Sequence, residues 1–236
     1  MPVAAIIPAA GTGTRLQSVL DEPKQFTRIA GKPLLAHTLL AFQACSLIDL
    51  IVIPTREDAV DMVRQEIVEP YGITAVEQII PGGATRQESV WRGLQALEGA
   101  GVDIVAVHDA ARMLVTPAII TRSVQAAETY GGCVVGLPAV DTIKMSHETW
   151  IEATVDRSVL WYAQTPQTFR YSLLCRAFRY AETVGFTGTD EAMLVEQLGE
   201  RVALVRGSKY NFKVTDQEDL ELARALLAFR AGKESR

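Results

Sequence analysis

Histidine and cysteine are scarce in this chain, three of each in 236 residues, and each scarcity removes a class of chemistry. Cys45, Cys133 and Cys175 are odd in number, far apart and never in a Cys-x-x-Cys pair, which argues against a disulfide framework and a thiolate zinc site. A reducing cytoplasm is the expected compartment. No secretory leader is expected ahead of Val3, and no apolar run approaches the ~18 residues of a membrane span. Three histidines without a Ser-His-Asp arrangement leave little room for nucleophilic catalysis. Basic residues are short as well: 23 Lys and Arg against 28 Asp and Glu give a net charge of −5, so no basic face is available to wrap a nucleic acid polymer. Local cations in an acidic chain suggest a small anionic ligand instead.

What is present is 48% hydrophobic sequence, enough to bury one sizeable core, in a length that α/β units often fold as one domain. Apolar runs at 3–8, 48–54, 73–80, 103–108 and 133–138 read as buried parallel strands. Between them, 33–45, 56–68, 85–98 and 117–130 carry helical spacing, as in Leu35, Leu39, Phe42 and Val60, Val63, Ile67. Alternation of this kind predicts a doubly wound sheet. From Val140 to Phe169 the rhythm breaks. The segments 141–145 and 150–155 alternate polar and apolar residues around Ser146-His147-Glu148-Thr149, as an excursive hairpin does, and a second copy of the chain is the expected cover for its apolar face. Helices at 171–184 and after Thr189-Asp190, a strand at 202–206 and a final helix from about 216, opened by a capping box at Thr215-Asp216-Gln217-Glu218, complete the chain.

The richest stretch is Pro8-Ala9-Ala10-Gly11-Thr12-Gly13-Thr14-Arg15-Leu16, closed by Glu22-Pro23-Lys24-Gln25-Phe26. It leaves the carboxyl end of the first strand, where open α/β sheets bind ligands. Small residues let backbone N–H groups come close to a ligand, and Arg15 and Lys24 add fixed positive charge, which together suit a polyphosphate. The loop is not a Walker loop, because Thr14-Arg15 stands where Lys-Ser/Thr is required, and it lacks the small residue and the downstream acid of a dinucleotide fingerprint. A glycine turn without a ligand is the plain alternative.

Four further groups sit at strand ends or on the hairpin. Gly82-Gly83-Ala84-Thr85-Arg86-Gln87-Glu88-Ser89 opens a helix and offers free N–H groups and a hydroxyl, or is simply a capped turn. His108-Asp109-Ala110-Ala111-Arg112 brings a carboxylate that can hold a hydroxyl or a Mg²⁺ water, and a guanidinium that can hold a phosphate; an internal Asp109–Arg112 ion pair is the alternative. His108 reads as packing rather than reacting. Asn211-Phe212-Lys213-Val214-Thr215 ends an apolar strand and places Lys213 at the mouth of the site, unless it is merely solvated. Thr189-Asp190 is a good helix N-cap whether or not it meets substrate.

In combination, Ala-Ala-Gly-x-Gly-x-Arg, Pro-Lys-Gln, Gly-Gly-x-x-Arg-x-x-Ser at 82–89, His-Asp-Ala-Ala-Arg at 108–112, Asp-Thr-x-Lys at 141–144, Thr-Val-Asp-Arg at 154–157, Thr-Pro-Gln at 165–167, Thr-Asp-Glu-Ala at 189–192 and Lys-Val-Thr at 213–215 occur in one order across nearly the whole chain. The sequence thereby resembles the 2-C-methyl-D-erythritol 4-phosphate cytidylyltransferase family of the non-mevalonate isoprenoid pathway. The resemblance implies a single Rossmann-like nucleotidyltransferase domain over 1–236, α/β and mostly parallel, with a dimerisation arm at about 139–165. It implies CTP and a sugar-alcohol phosphate as substrates, Mg²⁺ as cofactor and a homodimer. Arg15, Lys24 and Lys213 become catalytic cations; Ala9, Ala10, Gly11, Gly13, Gly82, Gly83 and Ser89 become nucleotide contacts. Asp109, Arg112, Thr142, Thr165, Thr189 and, from a second copy, Arg157 become contacts to the sugar-alcohol phosphate, with Asp109 also reaching the metal through water. Two departures stand out. Ala84 replaces an Asp of some members, and Met113 replaces the usual Pro after the Arg and is expected to loosen the loop beside Arg112. Two rivals are a relative acting on ribitol 5-phosphate, where a bulkier Val is expected at Ala111, and a non-catalytic nucleotide-binding module, which would have no need to keep both Lys24 and Lys213.

Overall fold

Alternating residues of the first strand face opposite sides of the molecule, and this divides the protein into layers. The computed structural model describes residues 1–11 and 25–234. In β1 (Val3–Ile6) and its continuation, Val3, Ala5 and Ile7 join one core cluster and Ala4 and Ile6 the other. Strands buried on both faces are what a parallel sheet covered by helices requires. The first cluster is closed by α1 (Leu34–Gln43) through Leu35, Leu39 and Phe42, and by α3 (Pro117–Tyr130) through Ile119, Ile120 and Val124. The second is closed by α2 (Arg86–Ala96), α4 (Tyr171–Val184) and the short α5 (Glu191–Glu196), through Val90, Leu94, Leu174, Phe178 and Leu194.

Seven strands form the main sheet in the order β11-β7-β10-β6-β1-β4-β5, where β4 is Leu50–Thr55, β5 Val76–Pro81, β6 Ile104–Val107, β7 Gly132–Pro138, β10 Trp161–Arg170 and β11 Ala203–Arg206. All neighbours pair in parallel except β10, which runs antiparallel to both β6 and β7. The doubly wound, mostly parallel sheet anticipated from the alternation is therefore present. A two-stranded ribbon, β2 (Arg28–Ile29) with β3 (Lys32–Pro33), precedes α1. Among the described residues, the hairpin strands β8 (Ile143–His147) and β9 (Trp150–Val155) pair only with each other.

Several expectations are corrected. The stretch 161–165, read as the end of the arm, belongs to β10, a full strand of the main sheet, so the excursion is confined to about 143–155. Pro166 is tolerated there because the β10–β7 pairing shifts register between Ala163 and Gln167, leaving no ladder bond for Pro to remove. The amphipathic helix read over 56–68 is a 3-10 turn (Glu57–Ala59), one α turn (Val60–Met62) and a π turn (Val63–Val68), the last closed by Glu69 N–H donating to Arg64 O at 3.0 Å. β5 is an edge strand and only half-buried rather than buried. The cap of α6 (Gln217–Glu234) sits one residue later than read: Asp216 Oδ1 accepts from Asp219 N–H at 2.9 Å, and Asp219 accepts from Thr215 N–H at 2.8 Å. Residues 211–215 are irregular rather than the end of a strand. Met113 does not loosen its loop; it is 3% exposed and packs with Ile29, Leu34, Leu114, Val214 and Leu220 in a third apolar cluster beneath α6.

Candidate active site

At the carboxyl edge of the sheet, β1, β5 and β6 deliver their loops side by side, because the strand order places β1 between β6 and β4 with β5 next. The first loop is pinned at both ends: Ala9 N–H donates to Pro54 O at 2.7 Å, and the buried Gln25 side chain donates to the carbonyls of Ala9 at 2.9 Å and Gly11 at 3.1 Å. Gly13, Arg15 and Lys24, read as nucleotide contact and catalytic cations, lie outside the described residues.

The second loop leans on the first. Gly82 N–H donates to Thr55 O at 2.6 Å, and a Cβ at Gly82 would stand 2.7 Å from Ala10 Cβ and 2.9 Å from Ser89 Oγ, so only glycine allows this approach. α2 begins here, with Thr85 as N-cap accepting from Glu88 N–H at 3.1 Å while Glu88 accepts from Ala84 N–H at 2.6 Å. Ser89 is buried beneath the loop. Its hydroxyl accepts from Gly83 N–H at 3.0 Å and donates to Thr85 O at 2.9 Å, so it shapes the loop from below.

Between the loops lies a cavity of about 320 Å³, walled by Ala9, Ala10 and Gly11 from the first loop, Gly83 to Arg86 with Ser89 from the second, and Asp109 to Ala111 with Lys213 and Thr215. Of the sequence-read nucleotide contacts, Ala9, Ala10, Gly11, Gly83 and Ser89 are on this wall. Gly82, with Ala10 and Gly83, continues into a more open cleft toward Arg56 and Asp58.

Asp109 is the electrostatic centre. Lys213 Nζ lies 2.9 Å from Oδ2, Arg86 Nε 2.9 Å from Oδ1, and Arg112 Nε 3.7 Å from Oδ2. Burial works against the charged carboxylate, but Arg86, Lys213 and Arg112 together outweigh it and hold the Asp109 carboxyl well below the usual carboxylate range. Val214 N–H donates to Ala111 O at 2.9 Å, which carries Lys213 to the end of β6.

Arg86 reaches further still, donating to Glu191 Oε1 at 2.6 Å and Oε2 at 3.0 Å. Burial opposes its charge, yet the two carboxylates raise its pKa above the ordinary guanidinium value. Arg86 and Glu191 belong to motifs visible in the sequence, but nothing in the sequence alone assigned either a role. Arg86 stands 105 residues from Glu191 and 23 from Asp109, separations that no local pattern reports.

The carboxylate's neighbour is locked in turn. Burial pushes the His108 imidazole down to about 3, so the ring is neutral near pH 7. Its Nε2 faces the Arg112 carbonyl at 3.2 Å and must carry the proton; Nδ1 therefore accepts from the Thr165 hydroxyl at 2.9 Å, and that hydroxyl accepts from Asp109 N–H at 3.1 Å. His108 is thus buried with both ring nitrogens engaged, in a packing position.

The residues read as sugar-alcohol phosphate contacts are only partly gathered. Asp109 is on the cavity wall; Arg112, Thr142, Arg157, Thr165 and Thr189 are not. Arg112 donates to Asn211 O at 3.0 Å, and its Nε is buried without a hydrogen-bond partner among the described residues. Thr189 is exposed immediately before the Asp190 cap of α5. Thr142 is exposed ahead of β8, and Arg157 donates to Val140 O at 2.6 Å on the arm; Asp156 is instead taken by Ser158. No group of three metal-ligating side chains occurs among the described residues.

A parallel sheet whose edge joins two small-residue loops to a carboxylate ringed by cations defines a nucleotidyltransferase of the Rossmann-like class. The family model for 2-C-methyl-D-erythritol 4-phosphate cytidylyltransferase (IspD) matches residues 3–229, and the chain belongs to that family. Bacterial relatives bearing that name include those of Acidobacterium capsulatum, 45% identical over 99% of this chain and 100% of its own, and Lysinibacillus sphaericus, 45% identical over 98% of each. Among solved structures, the cytidylyltransferase of Thermus thermophilus superposes with a TM-score of 0.80 at 36% identity, covering 97% of this chain and 100% of that one. The 4-diphosphocytidyl-2C-methyl-D-erythritol synthase of Anaerococcus prevotii reaches 0.84 at 27% identity, with 96% and 98% coverage.

Proposed function

We propose that this protein transfers CMP from CTP to 2-C-methyl-D-erythritol 4-phosphate, giving 4-diphosphocytidyl-2-C-methyl-D-erythritol and pyrophosphate in isoprenoid precursor synthesis. The observation that carries this reading is Lys213 reaching Asp109 on the wall of a cavity that both small-residue loops line. In the reaction a phosphate oxygen of the sugar-alcohol phosphate attacks the α-phosphorus of CTP, and the bond from that phosphorus to the bridging oxygen breaks as pyrophosphate leaves with the charge. A phosphate monoester has its second pKa near ~6, so it attacks as the dianion without a general base. His108 is in accord with this, being neutral with both nitrogens engaged. The protein's task is to neutralise charge gathering at the α-phosphate and leaving group. Lys213, Arg15 and Lys24 are assigned to it.

Mg²⁺ fits as an ion carried on the triphosphate, where it would neutralise phosphate charge. Each oxygen of Asp109 is already held by a cation at 2.9 Å, which favours contact with a metal through water over direct ligation. Asp109, Arg112, Thr142, Thr165 and Thr189 are proposed to hold the second substrate, together with Arg157 of a second copy. In support of a homodimer, the arm is a two-stranded sheet on its own, with Met145, Trp150 and Ile151 between 51% and 78% exposed. No described helix is long and apolar enough to cross a membrane, and the three cysteines are buried and free, which suits the cytoplasm.

Pyrophosphate release tests the reading, with CTP, UTP, ATP and GTP each offered with methylerythritol phosphate and with ribitol 5-phosphate. CTP with methylerythritol phosphate is expected to be fastest by a wide margin. Comparable turnover with GTP, or preference for ribitol 5-phosphate, would sink it.

A further inference from the structure

One guanidinium joins the three parts of this site. Arg86, at the first turn of the helix that carries the nucleotide loop, donates Nε to Asp109 Oδ1 and its two terminal nitrogens to both oxygens of Glu191. The Glu191 side chain is 2% exposed, and Glu191 is the first residue of α5, two after Thr189. Such a fork-to-fork pair fixes orientation as well as charge, which a lysine cannot do. Arg86 is thus held by three hydrogen bonds, whereas Lys213, 38% exposed, meets Asp109 through one contact.

We propose that Arg86 is a positioning residue for the second substrate: it holds the Asp109 carboxylate by Oδ1 and the Thr189 segment by Glu191, so that Lys213 can leave Oδ2 for phosphate without stranding a buried charge. The inference rests on the assignment of Asp109, Thr189 and Lys213 made above. It also ties the nucleotide loop to the sugar-alcohol phosphate subsite, so that ordering one side orders the other. The helix start has a second clamp. Gln167 donates to Asp190 Oδ2 at 2.8 Å and accepts from Ala192 N–H at 2.9 Å, so loss of Arg86 leaves α5 attached to β10.

Three variants separate positioning from mere stability. Arg86→Lys keeps charge and loses the fork; Glu191→Gln keeps shape and loses charge; Arg86→Gln with Glu191→Gln replaces the ion pair by two amides that can bond to each other. The measurements are the dissociation constant of CTP alone, kcat, KM for methylerythritol phosphate and Tm. For Arg86→Lys, CTP binding is expected to stay within about threefold while kcat/KM for the sugar-alcohol phosphate falls about 10- to 100-fold, the scale of a small misplacement of a reacting group. The double variant should recover Tm and remain equally slow, because Asp109 still lacks its Oδ1 partner. Recovery of turnover together with Tm would reduce Arg86 to a structural role and overturn the inference. A raised CTP dissociation constant with an unchanged KM for the second substrate would make Arg86 a nucleotide contact and overturn it equally. Wild-type enzyme runs in the same series: its failure to turn over these substrates sinks the functional reading and this inference together, whereas variants indistinguishable from an active wild type sink this inference alone.

Discussion

Acidification from pH 7 to pH 5 should destabilise this protein through His108, and the size of the effect follows from where that ring sits. The imidazole is fully buried against Phe42, with ring centroids 5.0 Å apart, and desolvation keeps it neutral with its pKa down at about 3. An unfolded histidine titrates near ~6.5. Between those values the unfolded chain binds a proton that the folded chain refuses, so stability falls as pH drops below the unfolded value. At pH 5 the loss is about 1.5 pH units of linkage at 1.36 kcal/mol each, or roughly 2 kcal/mol, whatever the folded value is so long as it lies well under 5. For a chain of this length that corresponds to a fall in Tm of about 4 to 8 °C. Asp109 does not confuse the window. Its folded pKa is depressed, so its contribution is intact above ~4 and is lost only at lower pH. His37, whose pKa burial also lowers, adds in the same direction and leaves a residual slope. Urea unfolding followed by circular dichroism at pH 7 and pH 5, for wild type and His108→Asn, reads the effect. The variant should be less stable at both pH values and lose clearly less between them. A wild type losing under about 0.5 kcal/mol, or a variant with the wild-type slope, would refute the neutral buried ring and with it the Thr165–His108 bond direction.

Lys213→Ala should cut kcat about 10²- to 10³-fold while changing CTP binding far less, as expected for a cation that acts where charge gathers in the transition state; a raised KM for CTP at wild-type kcat would remove it from the chemistry. Gly82→Ala drives a methyl group into Ala10 Cβ at 2.7 Å and Ser89 Oγ at 2.9 Å, so it should raise KM for CTP in a folded protein; unchanged kinetics would mean the two loops do not wall the nucleotide. Arg157→Ala should spare CTP binding and impair use of the sugar-alcohol phosphate. Mixed with an inactive Lys24→Ala variant, it should regain part of the activity, because one of the two sites in a heterodimer then has both side chains; heterodimers confirmed by mass spectrometry yet wholly inactive would rule out a shared site.

The layered fold was legible because both signals that encode it are local. The run Val3-Ala4-Ala5-Ile6-Ile7 is apolar at every position, which only a strand covered on both faces needs, and Leu35, Leu39 and Phe42 fall on one face of α1. The place of 161–170 in the main sheet was not legible, because proline argues against a central strand and the register shift that tolerates Pro166 depends on β7, some thirty residues upstream in the chain. The loops of the site were legible from glycine, small residues and cations in sequence. The Arg86–Glu191 pair was not, because an ion pair is specified by the fold that brings two distant segments together, and each partner looks like an ordinary solvated helix residue by itself. Met113 shows the same limit in the apolar direction: replacing an expected proline, it fills a cluster that α6 closes from the far end of the chain.

Charge counting shows what the described residues can and cannot do alone. Arg86, Lys213 and Arg112 contribute three positive charges, and Asp109 and Glu191 two negative ones, leaving +1. The sugar-alcohol phosphate alone brings about −2 near neutral pH, and CTP brings more. A cluster so nearly self-neutralised is stable without substrate, since none of its buried charges is left unpaired, but it is too weak to draw two polyanions together. In the proposed reading the missing charge comes from Arg15 and Lys24, a divalent ion on the triphosphate and Arg157 of a second copy. Lys213 is the member best able to change partners, being the most exposed of the three cations and bound by a single contact. Its transfer to phosphate leaves Asp109 still paired with Arg86. With one fixed cation holding the carboxylate and one exchangeable cation meeting the substrate, the same cluster would keep its charges paired at rest and turn one of them toward the anions during turnover.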